Sequence, residues 1–396
     1  DDLILTKKKV FEALFPEEDF SEGKVNDLMS YTVKLLERFL AIEQFESNSF
    51  ATKEAVVKQM LARRMAKPAR KKMAELAKMT DKKTAIDEQH YCDLLHQKSL
   101  DDAYHLQLQS HTQHPGAQQK VDSLDLFFIA TKLKYSCELV NRSNIVKMEY
   151  RSAMIEAVLD LLKKEPQYLQ HDLIAAYFNI YHCLTDEENE QHYFNLVTLL
   201  DEKATNFTRE EAQQMYAYAR NYCVKNINKG KAQYLGELFG LYQKLLSAKL
   251  LLHDGQLSEQ NYKNIVTLGC RLREFFWTER FIHDFKPLLP PKAKDNAYTY
   301  NLAFFYHKFG DFGKAMQLLQ DVEFTDVYYN LDARSLLLQV YYELDEYDAF
   351  VSLVNSYSIF LVRNKAVSEV QFSGKMNLVK LVKVLFRLKQ KMPLMN

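Results

Sequence analysis

The sequence predicts an all-α protein, a right-handed superhelical solenoid of antiparallel helix pairs. Three observations carry that expectation. Glycine occurs 10 times and proline 8 times in 396 residues, well below ordinary usage of about 7% and 5%. Such a chain lacks the turn formers that a sandwich, barrel or propeller consumes. Apolar residues recur at helical spacing along nearly the whole chain, and one stretch, 296–329, is spaced as a pair of packed helices. Hydrophobic residues make up 47%, enough for a sizeable core rather than a disordered chain.

Taken in order, Leu28, Tyr31, Leu35, Leu36, Phe39 and Leu40 form one stripe of a 3.6-residue period, as do Tyr150, Met154, Ile155, Val158, Leu161 and Leu162. Thr185 with Glu188 and Thr208 with Glu211 match the capping-box pattern, in which each side chain satisfies an amide of the first turn. Breaks are expected at Pro16, Pro68, Pro115-Gly116, Pro166, Asn228 to Lys231, His253 to Gly255 and Pro287 to Pro291. Between them lie segments suited to roughly 15–17 single helices. Residues 1–50 read as an N-terminal helical segment, 51–169 as a long irregular helical region, and 170–396 as the repeat array.

The repeat unit at 296–329 is NAYTYNLAFFYHKFGDFGKAMQLLQDVEFTDVYY. Leu302, Ala303, Tyr306, Gly310, Ala315, Leu319 and Val322 stand at tetratricopeptide (TPR-like) spacing. Small Ala303 and Ala315 let two helices approach, Leu302, Tyr306 and Leu319 fill the seam, and Gly310 turns the corner. A second unit begins near Leu331, with Leu337, Tyr341, Tyr347, Phe350 and Val354 at an offset of 35 residues (Phe312 to Tyr347). There Leu338 and Phe350 replace the small residues, so that pair is expected to splay or to pack at a different angle.

The runs GQLSEQNYKNIVTLGCRLREFFWTERFI at 255–282, FKPLLPP at 285–291 and VEFTDVYYNLDARSLLLQVYYELDEYDAF at 322–350, with Leu5 to Phe45 at the start, carry a resemblance. They resemble an uncharacterised family of bacterial cytoplasmic proteins built of TPR-like helical repeats. The resemblance implies the fold and supplies no catalytic residue.

Lysine plus arginine and aspartate plus glutamate are 52 each, for a net charge of zero. A polyanion partner must therefore rest on a local patch. The five cysteines (Cys92, Cys137, Cys183, Cys223 and Cys270) contain no CxxC pair, which excludes zinc ribbons and thioredoxin motifs. They read as small buried hydrophobes in a reducing cytoplasm. No run approaches the ~20 apolar residues that span a bilayer. Asp1 to Val10 is too charged for a signal peptide, and without an initiator methionine the N-terminus is expected to lie upstream. No GxSxG, Walker or dinucleotide fingerprint occurs, and acidic residues come as surface clusters such as Asp186-Glu187-Glu188. The expectation is therefore a non-enzymatic protein without cofactor, metal or small-molecule substrate.

Two candidate surfaces remain. Residues 58–83 carry ten basic residues against Glu75 and Asp81. Arg63, Arg64, Lys67, Arg70, Lys71 and Lys78 fall on one side of a helix, with Leu61, Met65, Leu76 and Met79 opposite. This basic amphipathic helix, kinked or restarted at Pro68, is either a nucleic-acid or acidic-partner contact, an ordinary solvated face, or an internal docking site. The second surface is the concave groove of the array. Its first-helix face is expected to hold Ala297, Tyr300, Phe304, His307 and Lys308, and in the next pair Asp332, Ser335, Gln339, Tyr342 and Glu343. Aromatic anchors with both charge signs suit a protein or peptide partner. The leading function is thus a scaffold or adaptor, and the alternative is a nucleic-acid- or ribosome-associated protein acting through 58–83. His90, His96, His105, His111 and His114 cluster, and the last two form HxxH, but the glutamine-rich neighbourhood reads as a helix-to-loop junction rather than a metal site. Residues 5–45 admit a helix-turn-helix reading. Their second helix lacks a basic face, which favours the first pair of the array.

Overall fold

The structure, a computed structural model, describes residues 6–83, 85–108, 115–146, 148–186, 188–320, 327–364 and 368–391. Among them lie eighteen α-helices and one two-stranded hairpin, so the chain is all-α. Two helix ends that fall outside the expected breaks have a local cause. Asn48 caps a new helix by accepting the Ala51 amide, and Arg64 adopts a left-handed conformation (φ 57°) that ends another. By contacts the chain groups into two units, residues 1–208 and 209–396.

The first unit begins with α1 (Lys7–Leu14) and α2 (Glu22–Ser47), capped by Thr6 and Ser21. Phe11 is buried between the rings of Phe15 and Phe20. Then come α3 (Ser49–Ala62), α4 (Ala66–Lys82) and α5 (Glu88–Gln107), which share a core of Phe50, Val57, Leu61, Ala69, Met73, Leu76, Leu100 and Tyr104. The break expected at Pro68 falls earlier, at Arg63–Met65. Pro68 instead occupies the first turn of α4, where its missing amide proton costs nothing. The longest helix, α6 (Gly116–Val146), packs on α5 and on α8 (Asp172–Thr185). Between them, α7 spans Ile155–Lys164, and α9 (Gln191–Lys203) packs on α8.

Three local expectations are corrected here. Helix α7 starts at Ile155, so Tyr150 and Met154 precede it and are exposed, Met154 with φ 65°. Thr185 is no N-cap: it ends α8, and its hydroxyl donates to the Tyr181 carbonyl. The apolar stripe of α2 is helical as expected but is not covered, for only Val25 of that helix is buried.

The second unit opens with α10 (Arg209–Asn228), preceded by Thr208, and α11 (Tyr234–Ser247). A hairpin of Leu252–His253 and Gln256–Leu257 turns over Asp254 and Gly255, both at positive φ. Seven helices follow: α12 (Glu259–Arg271), α13 (Phe275–Phe285), α14 (Lys294–Phe309), α15 (Phe312–Gln320), α16 (Val327–Glu343), α17 (Tyr347–Arg363) and α18 (Glu369–Lys391). Helices α12, α14 and α16 each pack on the helix that follows, and each of those packs on the next first helix. The first helices also pack on one another, α12 on α14, α14 on α16 and α16 on α18.

The seam expected between α14 and α15 is present. Leu302, Ala303, Ala315 and Leu319 are buried, and Gly310 (φ 100°) caps α14, its amide donating to the Tyr306 carbonyl. In the next pair, Leu338 and Phe350 are buried with Leu331, Val354, Tyr357 and Leu361, beside Val379, Val382 and Phe386 of α18. The Tyr357 hydroxyl lies within hydrogen-bond distance of the Leu331 carbonyl and Ser335 Oγ, so this core leaves that polar atom satisfied.

Gly269 of α12 lies tight against α13: a Cβ there would overlap Oγ1 of fully buried Thr278. Gly269→Ala should therefore lower stability by about 1–3 kcal/mol, the usual cost of overpacking. Adding Thr278→Ala should recover part of the loss, and denaturant unfolding of the single and double variants checks it.

Candidate binding surfaces

The first-helix face of the second unit holds a charged row. Asp332 of α16 accepts from Lys263 of α12 and from Lys375 of α18, the latter at 2.6 Å. The Lys263 ammonium also stands 5.5 Å from the centre of the Tyr300 ring of α14. One carboxylate thus links α12, α16 and α18, and one lysine links α12 to α14. Burial pushes the Asp332 carboxyl up, but the hydrogen bonds and charges of Lys263 and Lys375 outweigh it and hold the group below the usual aspartate value. The two lysines lie 69 and 43 residues from Asp332. No local spacing links them, and the sequence reading missed both.

This row changes the expected groove. Ala297 and Tyr300 are buried, Tyr300 at 5% exposure, so they are packing residues and not surface anchors. Their stretch of α14 faces α12, whose contact the repeat spacing alone did not supply. Ser335 is buried with its hydroxyl within hydrogen-bond distance of Tyr357. Gln339 donates to the Ser335 carbonyl, and Tyr342 lies against Phe386 with Lys389 over its ring. Phe304 and His307 are half-buried, Lys308 and Glu343 are exposed, and the Lys308 ammonium covers the Phe304 ring. Burial, followed by the Lys308 charge, lowers the His307 imidazole to about 4, so it is neutral at neutral pH. What this face offers a partner is Phe304, His307, Lys308 and Glu343.

The basic surface stands differently. Arg63, Arg64, Lys67, Arg70, Lys71 and Lys78 are all exposed. Among the described residues none of them forms an ion pair, whereas Lys58, Lys72 and Lys83 pair with Glu54, Glu75 and Asp87. Arg63 and Arg64 lie in the turn that follows α3, and Lys67, Arg70, Lys71 and Lys78 lie on α4. Leu61 and Leu76 are buried behind them as expected, but Met65, in the turn, is exposed. Beside the far end of α4 opens a shallow cleft of about 540 Å³, lined by Asn48, Thr80, Lys82, Lys83, Gln89 and Asp93 among others.

His90 is half-buried, and His96 lies 3.3 Å from Glu54. His111 and His114 are outside the described residues. Among the described residues no three His, Cys, Asp or Glu side chains are grouped to hold a metal, and no helix is long and apolar enough to cross a membrane. All five cysteines are free, four of them buried. No family model, curated protein or solved structure matches the chain.

Two measurements follow from the charged row. Tyr300→Ala should cost about 3–5 kcal/mol of folding stability, as truncation of a buried aromatic does, while an exposed binding anchor would leave the melting curve nearly unchanged. Asp332 adds stability that is present above the unfolded carboxyl pKa of about 4 and is lost as pH falls through its lower folded value. Melting temperature should therefore fall more steeply between pH 5 and pH 3 in the wild type than in Asp332→Asn, and that variant should be about 2–3 kcal/mol less stable at pH 7.

Proposed function

We propose that the chain is a non-catalytic scaffold whose residues 209–396 form a TPR-like helical-repeat array that binds a protein or peptide. The observation that carries this is the alternating packing of α12 to α18, in which every first helix meets its own partner, the preceding second helix and the neighbouring first helices. Such connectivity supports the reading of a right-handed superhelical solenoid, a fold that buries its core between neighbours and leaves one face of the first helices for recognition. The resemblance of 255–291 and 322–350 to a TPR-like family points the same way, and four buried thiols suit a reducing cytoplasm. Phe304, His307, Lys308 and Glu343 are the residues assigned to contact. Chain immobilised at neutral pH should retain a specific protein from native lysate. Lys308→Glu with Glu343→Lys should release it without moving the melting curve. Retention unchanged by this charge exchange would count against the groove.

A second reading, contact with nucleic acid or another polyanion through α4 and the turn before it, is favoured by six exposed cations that form no ion pair among the described residues. Each phosphate neutralised adds salt-sensitive affinity without sequence choice. Reversal of Arg63, Arg64, Lys67, Arg70 and Lys71 to glutamate should abolish retention on heparin at low salt while leaving helix content intact. If the variant elutes with the wild type, the patch is a solvated face.

A further inference from the structure

Every residue from Met29 to Ser49 is exposed. Nine large apolar side chains of α2 are 45–61% exposed, with Tyr31 and Phe39 at the top of that range. They present on the order of 900 Å² of apolar surface, against roughly 300–600 Å² for the largest patch of an ordinary monomer and about 800 Å² per partner in a stable interface. Helix α2 packs on α1 and α3 near its two ends. Lys7 reaches Glu22 and Asn26 at one end, and Thr52 donates to the Phe45 carbonyl at the other. Its 26 residues are too long for that support to cover the middle.

The exposed pattern is that of a coiled coil. Half-buried Leu28 and exposed Thr32, Leu35, Phe39 and Ile42 alternate in steps of four and three, a seam that a second helix fills by knobs into holes. A second seam, Met29, Val33, Leu36 and Leu40, steps by four, three and four and is turned about 100° from the first, the angle between successive residues of a helix. Flanking the first seam are Arg38 and Glu43. In a parallel pair of identical helices the position of Arg38 faces that of Glu43 on the other chain, twice by symmetry. Neither residue forms an ion pair within its own chain among the described residues.

We infer that α2 is a self-association helix, which pairs in parallel with α2 of a second copy through the Leu28–Leu35–Ile42 seam, the second seam taking any further copies. The occupant is a second copy because the area matches a stable interface and because the charges beside the seam complement their own repeat.

Light scattering on the full chain at about 10 μM, a concentration at which an interface of this size is occupied, should give at least twice the 46.5 kDa of one chain. Leu35→Glu with Phe39→Glu should give the mass of one chain with circular dichroism retained, since neither side chain is buried within its own chain. Arg38→Glu should weaken association roughly tenfold, and adding Glu43→Arg should restore it. A wild-type monomer overturns the proposal, whether or not it floats with phosphatidylcholine vesicles, which would assign the surface to lipid instead. An unchanged mass for the Leu35/Phe39 variant, or no rescue by the charge exchange, overturns it equally.

Discussion

A chain made almost wholly of single amphipathic helices obeys one constraint: no helix can bury its own stripe, so each depends on how closely a neighbour approaches. In the second unit that approach is set by small residues at a few crossings. Gly269 lets α12 reach Thr278 of α13, and Ala303 and Ala315 let α14 meet α15. Where the small residue is absent, as at Leu338 and Phe350, the larger side chains are themselves buried and bring α18 into the same core.

Polar atoms are settled by the same packing. Tyr357 meets the Leu331 carbonyl, and Tyr262 donates to the Ile282 carbonyl, each from one helix to another. Asp332 joins three helices through two lysines. A charge removed from water in this way is held only while both partners are in place. The same row that fixes first helices beside one another therefore removes Tyr300 and Asp332 from the surface open to a partner. The exposed side chains of this face lie in the later turns of α14 and α16.

The two units treat charge and apolar surface in opposite ways. On the first-helix face of the second unit, cations are largely answered by carboxylates or aromatic rings within the chain. On α4 and the turn before it, six cations are left to solvent, and on α2 an apolar surface is left to solvent. Folding of one chain gains nothing from either feature, which is why both draw attention as places of contact with other molecules.

The sequence by itself determined the helical class, because periodicity and the scarcity of glycine and proline are local properties. It also located the α14–α15 pair, whose seam, corner glycine and small residues lie within one window of 34 residues. It marked 58–83 as a basic segment, ten cations against two carboxylates, and the structure places six of those cations in solvent. Only the tertiary structure decided which apolar stripes are covered. Tyr31 to Leu40 and Ile155 to Leu162 have the same period, yet the first is exposed and the second packed. Only the fold, too, turned the expected groove residues Ala297, Tyr300 and Ser335 into core and brought Lys263 and Lys375 to Asp332. A helical period gives the direction of a side chain around its own axis. Whether another helix stands in that direction depends on contacts 43 or 69 residues away, which no local spacing contains.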